Sequence, residues 1–137
     1  MSVAYQVKPV HVIPPDEAIW NDVGDLSGHD VFFQNVLVAI YTRPSGLKTA
    51  GGVEIPDKVI EDDQYQAAVG LVLKVGPTAF VDDDDLHIKF YGVRVDPGEW
   101  VVFRPSAGLK FQISKRVCRL IPDVQLKMRI QHPDDVY

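Results

Sequence analysis

The sequence has a single cysteine, Cys118, so no intrachain disulfide can form and a zinc site built on several cysteines is excluded. Its longest apolar runs reach about six residues, far short of the roughly 20 that a membrane-spanning helix needs. No membrane association is expected. Basic residues are the minority, with 14 Lys and Arg against 19 Asp and Glu and a formal net charge of −5. Wholesale neutralisation of nucleic-acid phosphate is therefore not expected, and the two Trp and five Tyr read as packing residues rather than a base-stacking surface. The opening MSVAYQVKPV lacks a basic stretch leading into an apolar one. No signal peptide is expected, and the cytoplasm is the default compartment.

Recognisable chemistry is also scarce. Ser45 and Ser106 lie in Arg-Pro-Ser contexts rather than in G-x-S-x-G. No glycine-rich phosphate loop opens a helix. His11, His29, His87 and His132 are spread at no metal-ligand spacing. The run Asp82–Asp85 is consecutive and lacks the glycine of a calcium loop, so it reads as a solvated loop tip. Cys118 sits in the apolar run Val117–Ile121 and reads as a buried, inert thiol. On these grounds the chain is expected to be no enzyme and to hold no metal and no cofactor.

What is present is a chain of 137 residues, 46% hydrophobic and 24% charged, which suits one folded domain. Ten glycines and ten prolines cut it into short segments rich in Val, Ile, Leu, Phe and Tyr. That pattern predicts an all-β barrel or sandwich. Expected strands are Tyr5–Ile13, Asn35–Tyr41, Val69–Val75, His87–Val95, Glu99–Phe103, Leu109–Ile113, Val117–Ile121 and Val124–Ile130. In the last, Val124, Leu126, Met128 and Ile130 alternate with Gln125, Lys127 and Arg129, which places the four apolar side chains on one face of a strand. In His87–Val95, Gly92 breaks the alternation and suggests a bulge. The segment from Pro15 to Gly24 is expected to form one short helix, with acidic residues at its start and a glycine at its end. Residues 1–34 read as an N-terminal extended arm, preceding a domain over residues 35–137.

Residues 42–68 form a long loop, the kind that is functional or disordered in a small domain. Within it, Gly51 and Gly52 hinge the tripeptide Val53-Glu54-Ile55, and Pro56 ends it. In an extended peptide Val53 and Ile55 point to one side while Glu54 faces the other. Two aliphatic side chains on a polar loop gain burial energy only if something covers them, at roughly 1.5–3 kcal/mol each. A partner's apolar groove is one cover. A short strand folded onto the chain's own barrel is the other.

In order, these elements resemble the GroES-type co-chaperonin family. The matching pieces are NVLVAI at 35–40, GLKTAGGVEIPD at 46–57, VGLVLKVGP at 69–77, VDPGEWVVFRPSAGLKF at 95–111 and VCRLIPDVQLKMRI at 117–130. The resemblance implies a GroES-like irregular β-barrel and a homo-oligomeric ring, commonly a heptamer. It implies that Gly51, Gly52, Val53, Glu54 and Ile55 form the loop that docks on a chaperonin ring. It also implies that Val124, Leu126, Met128 and Ile130 lie at the subunit interface. Three features depart from the family pattern: Glu54 where an apolar residue is usual, the extension over residues 1–34, and the acidic insertion at Asp82–Asp85. Longer versions of this kind are similar to co-chaperonin-like proteins of tailed bacteriophages. That places the protein in a host cytoplasm as a lid or, alternatively, in a virion as a structural or decoration protein contacting capsid proteins.

Overall fold

The computed structural model describes residues 11–42 and 68–136. Within them one helix, α1 (Pro15–Val23), is followed by six strands: β1 (Asn35–Ile40), β2 (Val69–Val75), β3 (Trp100–Phe103), β4 (Leu109–Ile113), β5 (Arg116–Pro122) and β6 (Leu126–Ile130). Short 3-10 turns occupy Asp123–Gln125 and Pro133–Val136. Every ladder is antiparallel, and the strands form one sheet in the order β4-β5-β1-β2-β3-β6.

β1 shows why the sheet is buried on both sides. Its apolar run does not alternate, so successive side chains load opposite faces. Leu37, Ala39 and Tyr41 join one core cluster, and Val36, Val38 and Ile40 join the other. The first cluster is closed by α1, which contributes Ile19 and Val23, and by Leu26 just beyond it. Pro15 opens this helix, Asp16 and Glu17 sit in its first turn, and Gly24 follows it at φ 70°. Part of the expected N-terminal arm is thus a helix packed on the sheet, while residues 1–10 lie outside the described residues. His11–Ile13, expected to end a strand, are not in one.

The second face is covered by Val95, Ala107, Ala79 and Phe80 from the connections. The sheet curls toward it. Arg119 of β5 lies over the ring of Phe103 of β3, 5.5 Å from its centre, although β1 and β2 run between those strands. Gly70 allows the close approach this needs. A Cβ there would meet Val38 Cγ1 at 2.2 Å and the Ala39 carbonyl oxygen at 2.7 Å.

The fold is mostly β, as expected, but the sheet is not a closed barrel. β4 and β6 are its two ends, and no ladder joins them among the described residues. The expected strand His87–Val95 is not formed either. Only an isolated bridge, Asp83 to Ile88, remains of it. Aspartate side chains hold one of its amides and two just before it. Asp82 Oδ1 accepts the Phe90 N–H at 2.8 Å, and Asp83 Oδ1 accepts from Asp85 and Leu86 at 3.0 and 3.2 Å. Side-chain oxygens take amides that a ladder would otherwise use. Within this segment His87 and Tyr91 also take left-handed backbone angles (φ 55° at each), which a regular strand does not accommodate.

Candidate functional site

The loop residues Gly51, Gly52, Val53, Glu54 and Ile55 lie outside the described residues. The frame that holds the two ends of their segment is described. β1 and β2 are adjacent antiparallel strands, and the Tyr41 N–H donates to the Val69 carbonyl at 3.0 Å, one step past the named ladder. Beside it the Phe103 N–H donates to the Ala68 carbonyl at 2.8 Å.

Tyr41 is fully buried and anchors this point from several sides. Its hydroxyl donates to Asp134 and lies 3.2 Å from His11 Nε2, and its ring stands edge-on to Trp100 with centres 5.7 Å apart. His11 Nε2 is 3.0 Å from Asp134 Oδ2, and His132 Nδ1 is 3.6 Å from the same oxygen. Two histidines that read as scattered are therefore gathered around one carboxylate by the fold. Their spacing of 121 positions gave no local signal. Among the described residues no group of three or more His, Cys, Asp or Glu side chains is placed to hold a metal ion.

The expected interface residues are divided. Val124 is in the 3-10 turn before β6 rather than in the strand. The pairing of β6 with β3 skips a residue: Met128 faces Val102, Leu126 faces Phe103, and Lys127 is left over as a bulge. A bulge reverses the side to which later residues point. Leu126 therefore packs with Phe103 in the second core cluster, and Ile130 packs in the first. Met128 and Val124 are each about half exposed, at 48% and 49%. The four do not share one face, which corrects the expectation drawn from their alternation. The outer edge of β6 has no ladder partner among the described residues. Beside it runs a groove of about 530 Å³ lined by Phe80, Phe90, Val93, Leu126 and Met128, with Lys89 and Arg129 also on its wall. Arg129 pairs there with Glu99 at 3.0 Å, and Lys89 pairs with Asp84.

Two interior polar groups complete the picture. Arg119 is almost wholly buried, and its guanidinium donates to the carbonyls of Pro105 and Ala107, the latter at 3.2 Å. It thereby pins the turn between β3 and β4, and burial lowers its pKa from the ordinary value. A lone arginine inside Val117-Cys118-Arg119-Leu120-Ile121 was the signal for it. Cys118 is buried too, and desolvation pushes its thiol up to about 11. Its sulfur is 3.6 Å from the Arg116 carbonyl oxygen. That environment makes an inert thiol rather than a nucleophile.

No family model matches the sequence, and no curated protein matches it.

Proposed function

We propose that the chain is a co-chaperonin-like lid protein with a curled, GroES-like sheet. In this reading it assembles as a homo-oligomeric ring in the cytoplasm, of the host where a phage encodes it. It docks Val53 and Ile55 on a chaperonin ring to assist protein folding. The observation that supports the reading is the frame around that segment. The segment that carries the tripeptide connects two neighbouring antiparallel strands in the middle of the sheet, and those strands are tied where it departs by the Tyr41–Val69 hydrogen bond. A rigid base is what a docking loop needs, because each residue it orders on binding costs about 1–2 kcal/mol. One such loop binds weakly, and a ring of them binds strongly through multivalency.

Co-sedimentation with a purified chaperonin, with and without nucleotide, tests this. Binding that requires nucleotide is expected, and it is expected to disappear when Val53 and Ile55 are both changed to Ser. Binding unaffected by that double change overturns the loop assignment.

A second reading is a structural or decoration protein of a phage particle. Val81, Leu86, Tyr91 and Val93 favour it, being 58%, 68%, 89% and 56% exposed on one connection. Several exposed large apolar side chains on one connection suit a surface that an assembly covers. This reading requires the chain in purified particles; its absence there rejects it.

A further inference from the structure

The side chains gathered at the end of β1 come from three parts of the chain. Tyr41 follows β1, His11 belongs to the segment before α1, and His132 and Asp134 belong to the last turn. Asp134 is their common partner. Its side chain is only 6% exposed, and a carboxylate withdrawn from water is costly unless it is paired. Tyr41 donates its hydroxyl to one carboxylate oxygen, and His11 Nε2 lies 3.0 Å from the other. Little else holds the segment that carries His11. Val12 and Ile13 are exposed, whereas the His11 side chain is only 15% exposed.

The hydrogen bonds fix what each imidazole can do. With the Tyr41 hydroxyl donating to Asp134 Oδ1, His11 Nε2 is left to donate to Oδ2. A neutral imidazole supplies that proton as a plain donor. A protonated one makes an ion pair in the same geometry, and low exposure leaves the added attraction largely unscreened. Imidazoles gain protons between about pH 8 and pH 5, a range in which carboxylates ordinarily stay ionised. Two further cations stand near. Arg116 of β5 bounds the same cavity as His11, but its charge is met by Asp22 of α1 at 2.6 Å. His132 competes for the carboxylate. Its Nδ1 accepts the Asp134 N–H at 3.2 Å and lies 3.6 Å from Oδ2, and its ring centre is 6.3 Å from that of His11. Being about half exposed, His132 is the better screened of the two.

We propose that His11 and Asp134 form a proton-operated strap, which fastens the segment before α1 to the end of β1 and tightens as pH falls from about 8 to 5. The strap acts where the segment carrying Val53 and Ile55 departs, and it stands whether or not the chain caps a chaperonin. A double-mutant cycle on the full chain, His11→Gln with Asp134→Asn, tests it by urea unfolding at about pH 5.5 and about pH 7.5. The coupling between the two residues should favour the folded state about fivefold or more strongly at the lower pH, as an ion pair does against a neutral donor. His11→Gln alone should likewise cost more stability at the lower pH, which keeps the test decisive if Asp134→Asn does not fold. The response should persist in a His132→Gln background, which removes the competitor. NMR relaxation of the Val12 and Ile13 amides at the lower pH gives a second readout. Both residues should be ordered in the native chain and more mobile in His11→Gln and in Asp134→Asn. Equal coupling at the two pH values overturns the proposal. So does loss of the response with His132→Gln, or unchanged mobility of Val12 and Ile13 in the variants.

Discussion

β1 and β6 are both short antiparallel strands of the same sheet, yet they stand at opposite extremes of burial. β1 has a strand on each side and a core cluster on each face, and Val36 through Ile40 are all buried. β6 has one neighbour, β3, and its three central residues are exposed. Side-chain character accounts for part of this, since Lys127 and Arg129 flank Met128 in β6 whereas β1 is wholly apolar after Asn35. Position accounts for the rest. A central strand is sealed by its neighbours and by whatever covers the two faces, whereas an end strand keeps only what one neighbour shields. The Lys127 bulge widens the difference by dividing the apolar residues of β6 between faces.

The sharpest way to break this comparison is to empty a site in β1. Ile40→Ala should lower the unfolding free energy by about 2–5 kcal/mol, the range for large-to-small changes in a packed core. Urea denaturation measures it. A loss under about 1 kcal/mol would mean that β1 is not the sealed element described. Next comes the contact between β1 and β2. Gly70→Ala sets a methyl against Val38 Cγ1 and the Ala39 carbonyl, both closer than real Cβ contacts allow. Overpacking of this kind costs about 1–3 kcal/mol. A neutral result would show that the two strands can separate at little cost.

Cys118 extends the comparison to β5, where it pairs with Ala39. Its folded pKa of about 11 lies above the ordinary value of 9.0, so the folded chain holds this proton more tightly than the unfolded one. The contribution is complete below about 9 and is lost as pH rises through about 11. Native protein should resist thiol alkylation at pH 8 and react fully in urea. Cys118→Ala should flatten the fall of stability over that alkaline window. Rapid labelling of the native protein would show that the centre of the sheet opens.

Much of the sheet could be read from sequence because its strands are local statements. Val69–Val75 and Leu109–Ile113 have the predicted bounds, Asn35–Tyr41 ends one residue early at Ile40, and Val117–Ile121 gains a residue at each end. Three things were hidden. The bulge at Lys127 depends on how β3 pairs, which no property of β6 reveals. His87–Val95 carries strand-forming residues, but Asp82 takes the Phe90 amide and His87 and Tyr91 adopt left-handed angles. The gathering of His11, Tyr41, His132 and Asp134 depends on the whole topology. The candidate loop residues lie outside the described residues and rest on the sequence alone, and the described strands beside them add the anchoring at Tyr41.

The smallest effect concerns the exposed end. Met128 is about half exposed and points from a bulged strand whose outer edge is unpaired among the described residues. For a solitary chain, Met128→Ser should change stability by no more than about 0.5 kcal/mol, as surface changes do. If a second copy covers this edge, the cost must grow with protein concentration, because association adds stability by mass action. Denaturation curves at two concentrations a hundredfold apart therefore separate the cases. A constant, negligible cost leaves β6 a bare end. A cost that rises with concentration makes it half of an interface, and its exposure then belongs to the isolated chain alone.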